Sequence, residues 1–238
     1  MKYTYLLGCL LISCSVLAQK KFIAEFDTTL INDNPYIQQY TTTTFWQQPF
    51  TQELIDPNNI NEDLLEAVIF FKINQLRGKK KMRYLQHNSK LSVIAQNYIQ
   101  YDKRKKRVTF LSKKIVKKAA EKMGYYGGFI DMNGGVASLL KQAKQHTILT
   151  ENGQRIFYHG TPKRVAKSKK PIPIAKLSYA NWAKQFKRRW LASAIKNKAF
   201  SDIGCAVKLI NVNNRFIPSA KVVVIVGGYR LEMLSDSQ

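Results

Sequence analysis

The sequence predicts an α/β protein in which one sheet lies between two helical layers, a three-layer α-β-α sandwich. The evidence for the sheet is the run 222–226, which is apolar without alternation, as in a strand covered on both faces. An alternating strand over residues 203–210 precedes it, and helical spacing of apolar residues dominates the first half of the chain. Elements of these kinds bury one another in a layered sandwich.

Helices are predicted in the first half of the chain, where apolar residues recur every three to four positions. The first helix follows two N-cap candidates, Asn59 and Asn61, and ends at Gly78. The second is capped by Asn88 or Ser89. Both helices have a continuous apolar face, so each is expected to pack on the sheet.

The middle of the chain mixes helix and strand. A third, shorter helix is predicted over residues 112–123, ending at a glycine. Residues 125–135 are rich in glycine around a short apolar core, which predicts a strand between turns, without the spacing of a phosphate-binding loop. A helix is predicted over residues 136–145. A turn at 151–153 and a strand over 155–158 follow.

The last third of the chain is predicted to close the sheet. Residues 161–175 form a basic loop with several prolines, and one long helix runs from Tyr179 to near Lys198. A loop over 211–218 separates the two closing strands. At the other end, residues 19–60 are polar and aromatic without a helical period, which predicts an extended or irregular extension lying on the domain.

The charge of the chain is strongly positive. Its 238 residues include 39 Lys+Arg against 15 Asp+Glu, a formal net charge of +24. Hydrophobic residues make up 45%, which excludes a disordered chain. A surface of this charge attracts polyanions such as acidic glycan, lipopolysaccharide or extracellular DNA.

The N-terminus predicts a secretory signal peptide over residues 1–18. Lys2 precedes an apolar run too short to span a bilayer, and Val16 and Ala18 offer the small residues that signal peptidase reads. An alternative cleavage at a lipobox-like segment leaves a lipidated Cys14. No second apolar run of spanning length follows. The predicted location is therefore secreted, periplasmic or in the cell envelope.

Two stretches of sequence carry a family resemblance. In the first, a helix ends in Asn-x-x-Arg at Asn74 and Arg77, and an Asn-x-x-Leu-x-x-x-Ala pattern starts at Asn88. In the second, a Trp-x-x-Ser helix at Trp190 and Ser193 precedes an Ile-Gly strand and a closing strand. In order and spacing, these motifs resemble a bacterial domain of the CAP superfamily, which contains cysteine-rich secretory, antigen 5 and pathogenesis-related proteins.

The resemblance implies a domain organisation and a sheet type. It implies a CAP-like domain over residues 61–231, between the N-terminal extension 19–60 and a C-terminal tail 232–238. It also implies that the central sheet of the three-layer sandwich is small and mainly antiparallel. CAP domains commonly act as extracellular interaction or lipid-binding modules, so the resemblance implies such a role.

The chain departs from the family at the cleft. The resemblance implies two cleft histidines and a Glu-Asn stretch, but the cleft positions here hold Ser112, Asp131 and Lys196. A neutral imidazole pair can hold a divalent metal, and a serine and a lysine cannot replace it. The sequence therefore predicts no metal site and no cofactor.

A basic stripe is predicted on the third helix. Lysines recur there at i, i+4, and an adjacent basic run would extend the stripe into a positive patch. Nothing indicates readout of bases, so sequence-specific nucleic-acid binding is not expected. The candidate anion-binding residues are Arg104, Lys105, Lys106, Arg107, Lys113, Lys114, Lys117 and Lys118.

Enzymatic activity is not expected from the remaining residues. Cys205, the one cysteine after the predicted signal peptide, lies in an apolar run and fits a core position. His87, His146 and His159 have no metal-ligand spacing. The predicted function is a non-enzymatic binding module. The alternatives are lipid binding, a metal-dependent hydrolase activity of CAP type, and a structural envelope role without an anionic partner.

Overall fold

The structure is a computed structural model that describes residues 22–23, 26–30, 33–101, 111–141, 145–186, 191–210 and 218–228. The described α-helices are α1 Pro35–Gln39, α2 Thr42–Phe45, α3 Glu62–Gly78, α4 Ser89–Tyr101, α5 Lys113–Lys122, α6 Pro162–Lys167, α7 Tyr179–Ala183 and α8 Ala192–Lys196. A short 3-10 helix, Pro49–Gln52, lies between α2 and α3. The described strands are β1 Gln86–His87, β2 Phe129–Ser138, β3 His146–Glu151, β4 Gln154–His159, β5 Asp202–Ile210 and β6 Ser219–Gly228.

The central sheet has the strand order β1-β5-β6-β2. β6 pairs antiparallel with β5 on one side and with β2 on the other, so Val224 lies opposite both Cys205 and Asn133. The two-residue strand β1 pairs parallel with β5. The predicted small, mainly antiparallel sheet is confirmed. β3 and β4 form a separate two-stranded hairpin.

Two hydrophobic cores lie on the two faces of this sheet. Val222, Val224 and Val226 pack on one face in a core with α3, α7 and α8. Val223 and Ile225 point to the opposite face, into a core with α4 and α5. Successive side chains of a strand point to opposite faces, so the unbroken apolar run of β6 serves both cores. The three-layer α-β-α sandwich is confirmed.

The predicted starts and stops of the helices match local capping. The Asn61 side-chain oxygen accepts a hydrogen bond from the Leu64 backbone N–H at 2.9 Å, which caps α3. Asn88 accepts in the same way from the Leu91 N–H at 3.3 Å, at the start of α4. α5 is followed by Gly124, whose φ of 68° suits glycine.

The helix predicted over residues 136–145 is wrong. Val136 and Ser138 instead continue β2, which pairs with β6 along its whole length, and Leu140 forms a bridge with Lys176. The ladder of hydrogen bonds to a distant strand therefore outweighs the local helical spacing. Residues 142–144 lie outside the described part of the chain.

The single long helix predicted from Tyr179 to near Lys198 is also wrong. α7 ends at Ala183, and the Gln185 N–H then bonds to the Trp182 carbonyl in a turn. This bend places both Trp182 and Phe186 in the hydrophobic core that contains α3, where the centroids of their rings lie 4.7 Å apart. The basic loop predicted over 161–175 contains the short helix α6.

The N-terminal extension is more regular than predicted. Thr41 and Thr44 form a capping box, so part of the polar threonine run starts α2 instead of an irregular chain. Phe45 at the end of α2 stacks on Phe71 of α3 with ring centroids 4.2 Å apart. Among the described residues, no helix has both the length and the apolarity needed to cross a membrane.

Candidate functional site

An open pocket of about 290 Å³ lies beside the first turns of α5. We call it the α5 pocket. Its lining comes from three parts of the chain: α5, the start of β2, and the segment between α8 and β5. The polar lining residues are Lys113, Lys114, Lys117, Asp131 and Asn197, and Phe200 contributes an aromatic ring.

α5 is amphipathic, and its lysines lie on the face that is exposed to solvent. Val116, Ala119 and Ala120 are buried against the sheet, which leaves the opposite side of α5 in solvent. Lys113 and Lys117 are one turn apart on that side. We call Lys113, Lys114 and Lys117 the pocket lysines. Lys118 is exposed on α5 as well but is not part of the pocket lining.

The electrostatics of the α5 pocket favour an anion. Lys113 and Lys114 stand in the first turn of α5, at the positive end of the helix dipole, and this turn contains no acidic residue. Cations in this position are unfavourable by about 0.3–1 kcal/mol each. No carboxylate of a described residue forms an ion pair with the pocket lysines. A bound anion would compensate both the lysines and the helix dipole.

Asp131 is the acidic residue among the polar lining residues of the α5 pocket. It lies on β2, half-buried, and its Oδ1 accepts a hydrogen bond from the Met132 backbone N–H at 3.0 Å. One carboxylate against three ammonium groups leaves the described lining positive. The balance therefore repels free cations and attracts anions.

The three positions that the family resemblance assigns to a cleft lie around the α5 pocket. Asp131 lines it, Ser112 is the residue before α5, and Lys196 ends α8 immediately before the lining residue Asn197. Their hydroxyl, carboxylate and ammonium groups do not fit a divalent metal. The described residues also contain no group of three or more His, Cys, Asp or Glu placed to hold a metal ion.

A buried arginine fixes the wall of the α5 pocket that follows α8. Arg77 of α3 is fully buried, and its guanidinium donates to the backbone carbonyls of four residues. Arg83, between α3 and β1, accepts at 2.8 Å, and Ala194 of α8 accepts at 2.7 Å. Asn197 and Phe200, between α8 and β5, accept at 2.9 Å and 3.3 Å. Asn197 and Phe200 line the pocket, whereas Arg77 does not. Arg77 therefore supports this wall by holding the backbone of two lining residues.

Two further hydrogen-bonded residues of the sequence motifs join the layers. The Asn74 side chain donates to the Leu85 carbonyl at 2.9 Å and accepts from the Leu85 N–H at 2.8 Å. The Ser193 hydroxyl donates to Asn133 Oδ1 at 2.8 Å, which ties α8 to β2 next to Asp131. In this structure the motif residues Asn74, Arg77 and Ser193 are parts of the scaffold.

The buried polar groups near β1 also belong to the scaffold. Burial raises the pKa of Cys205 well above its ordinary value, so the thiol is not a ready nucleophile. Ser92 is fully buried, and its Oγ accepts from the Cys205 N–H at 3.1 Å and lies 3.0 Å from His87 Nε2. Burial lowers the pKa of His87. These groups hold α4 on β5 away from solvent.

The described residues contain half of the predicted anion-binding set. Lys113, Lys114, Lys117 and Lys118 share the exposed side of α5. The remaining four, Arg104, Lys105, Lys106 and Arg107, lie outside the described residues. Sequence reasoning missed Asn197 and Phe200, because only the fold brings the segment after α8 to the start of α5.

Comparisons with known proteins give distant likenesses to solved structures alone. No protein-family model matches the chain, and no curated protein matches its sequence. Among solved structures, it is similar to a cysteine-rich secretory protein from Staphylococcus aureus, with 9% sequence identity and a TM-score of 0.40. The likeness covers 70% of this chain and 39% of that chain. At this sequence identity and TM-score, the likeness does not indicate a shared function.

Proposed function

We propose that this chain is a secreted, non-enzymatic binding module whose basic surface at the α5 pocket binds polyanions. The observation that carries the proposal is the cluster of Lys113, Lys114 and Lys117 at the positive end of α5, with no carboxylate partner among the described residues. Acidic glycan, lipopolysaccharide and extracellular DNA are the ligand classes that such a cluster attracts.

The scaffold proposed for this module is a degenerate CAP-type domain. The motif residues Asn74, Arg77 and Ser193 each make side-chain hydrogen bonds to other segments of the fold, which supports the assignment. The replacement of the expected histidines by residues such as Lys196 supports a role without catalysis. The apolar N-terminal segment before residue 19 supports export from the cytoplasm.

Salt titration of DNA binding tests the proposed function. We expect the purified protein to bind double-stranded DNA with an affinity that falls steeply as salt rises, because binding releases counterions. The double variant Lys113→Gln/Lys117→Gln should bind more weakly. The slope of log K against log salt should become shallower by about 0.9 for each lost phosphate contact, or about 2 in all.

A matched control separates a local site from overall charge. Lys163 and Lys167 of α6 are exposed and have the same i, i+4 spacing, but they are not among the residues that line the α5 pocket. The variant Lys163→Gln/Lys167→Gln loses the same charge and should keep most of the affinity and slope. Equal losses in both double variants, or binding that does not respond to salt, would contradict the proposal.

A further inference from the structure

Two histidines face each other at the open end of the β3–β4 hairpin. In the register of the hairpin, His146 is the direct partner of His159. The Gly160 N–H donates to the Gln145 carbonyl at 3.1 Å, and the His159 N–H donates to the Ile172 carbonyl at 2.9 Å. The His159 N–H therefore points away from β3, and the histidines form a pair without backbone hydrogen bonds between them.

This kind of pair brings side chains close together. The α-carbons of a pair without hydrogen bonds are about 4.5 Å apart, closer than in a hydrogen-bonded pair. Directly opposite residues also share one face of the hairpin, with Cβ atoms about 4.5–5.5 Å apart. The imidazoles of His146 and His159 can therefore reach a common point from two strands.

One ring nitrogen of this histidine pair is buried without a hydrogen bond among the described residues. His146 Nε2 is buried and has no hydrogen-bond partner among the described residues, whereas His159 is exposed. The next pair on the same face, Ile148 and Phe157, packs with Leu140 and anchors the hairpin. A buried nitrogen without a partner costs about 1–3 kcal/mol, and a metal bond would remove this cost.

We propose that His146 and His159 form a two-histidine site for a single transition-metal dication, Zn²⁺ or Cu²⁺. Neutral imidazole nitrogens are common ligands of both ions, and Zn–N bonds are about 2.0–2.1 Å long. Water completes the coordination, with His146 on the buried side and His159 on the solvent side. The site lies on the hairpin and uses none of the lining residues of the α5 pocket, so it is independent of the polyanion proposal.

Calorimetric titration of Zn²⁺ into the purified protein tests this site. We expect one Zn²⁺ per chain, and at least ~10-fold weaker binding in His146→Ala and in His159→Ala. His87→Gln is the control, since His87 lies in β1 and bonds to Ser92. This variant should bind Zn²⁺ as the unaltered protein does. Circular dichroism checks that each variant is folded.

Electron paramagnetic resonance with Cu²⁺ gives an independent readout. The spectrum should show coupling to two imidazole nitrogens, and His159→Ala, which alters an exposed residue, should remove one of them. Absence of Zn²⁺ binding in the unaltered protein would overturn the proposal. So would Zn²⁺ binding that survives both pair variants, or binding that His87→Gln weakens as strongly as they do.

Discussion

Replacing Arg77 with glutamine is expected to lower the free energy of unfolding by about 3–5 kcal/mol. The guanidinium of Arg77 is fully buried and is the shared donor for the carbonyls of Arg83, Ala194, Asn197 and Phe200. A glutamine amide is shorter and has two donor hydrogens, so it leaves several of these carbonyls without a donor. Each buried group left in this way costs about 1–3 kcal/mol. Urea unfolding followed by circular dichroism measures the change.

The control for Arg77 is the exposed Arg83→Gln. This substitution removes the same charge as Arg77→Gln. It keeps the backbone carbonyl of residue 83, so the hydrogen bond that Arg77 donates to this carbonyl is retained. The control should change the stability by no more than about 0.5 kcal/mol. A similar small effect for both variants would mean that Arg77 does not join α3 to the segment after α8. The wall of the α5 pocket would then need another support.

Replacing Gly204 with alanine is expected to destabilise the protein by at least about 3 kcal/mol. An added Cβ on Gly204 would overlap the Ser92 backbone nitrogen and the Leu91 carbonyl carbon, and would lie 2.6 Å from Leu91 Cβ. Backbone atoms of a packed helix cannot move aside as a flexible side chain can. The variant therefore separates the start of α4 from β5 and weakens the core between them. Thermal unfolding measures the effect.

The matched control for Gly204 is Gly78→Ala at the end of α3. An added Cβ at Gly78 would meet the ring of Tyr84, with the nearest atom at 2.8 Å. Tyr84 is exposed, so its ring can turn away, and alanine is the better helix former. This variant should be near neutral. If Gly204→Ala were equally neutral, the close approach of α4 to β5 in this structure would be wrong.

The parts of the fold that sequence predicted correctly depend on local signals. Asn61 and Asn88 mark helix starts by side-chain capping, which needs only the next three residues. The unbroken apolar run of β6 signals burial on both faces. The helix predicted at Val136 is wrong for the opposite reason, because the pairing of β2 with β6 joins residues 81 to 99 positions apart in the chain.

In the candidate sites too, features set by neighbouring residues could be predicted from the sequence, and features set by contacts between distant segments could not. The spacing of Lys113 and Lys117 already predicts one basic side of α5. The third wall of the α5 pocket, at Asn197, depends on Arg77 and the packing of α3, which no local pattern reveals. The pairing of His146 with His159 was missed although a signal existed. A two-residue turn at 152–153 fixes the register of the hairpin, and the histidines stand equally far from it.

The most direct test of polyanion binding at the α5 pocket is lysine acetylation followed by mass spectrometry, with and without heparin. We expect heparin to slow the acetylation of Lys113, Lys114 and Lys117 several-fold more than that of Lys163 and Lys167, and high salt to remove the difference. Protection spread evenly over all exposed lysines, or centred on α6, would contradict this expectation and place the anionic partner elsewhere on the surface.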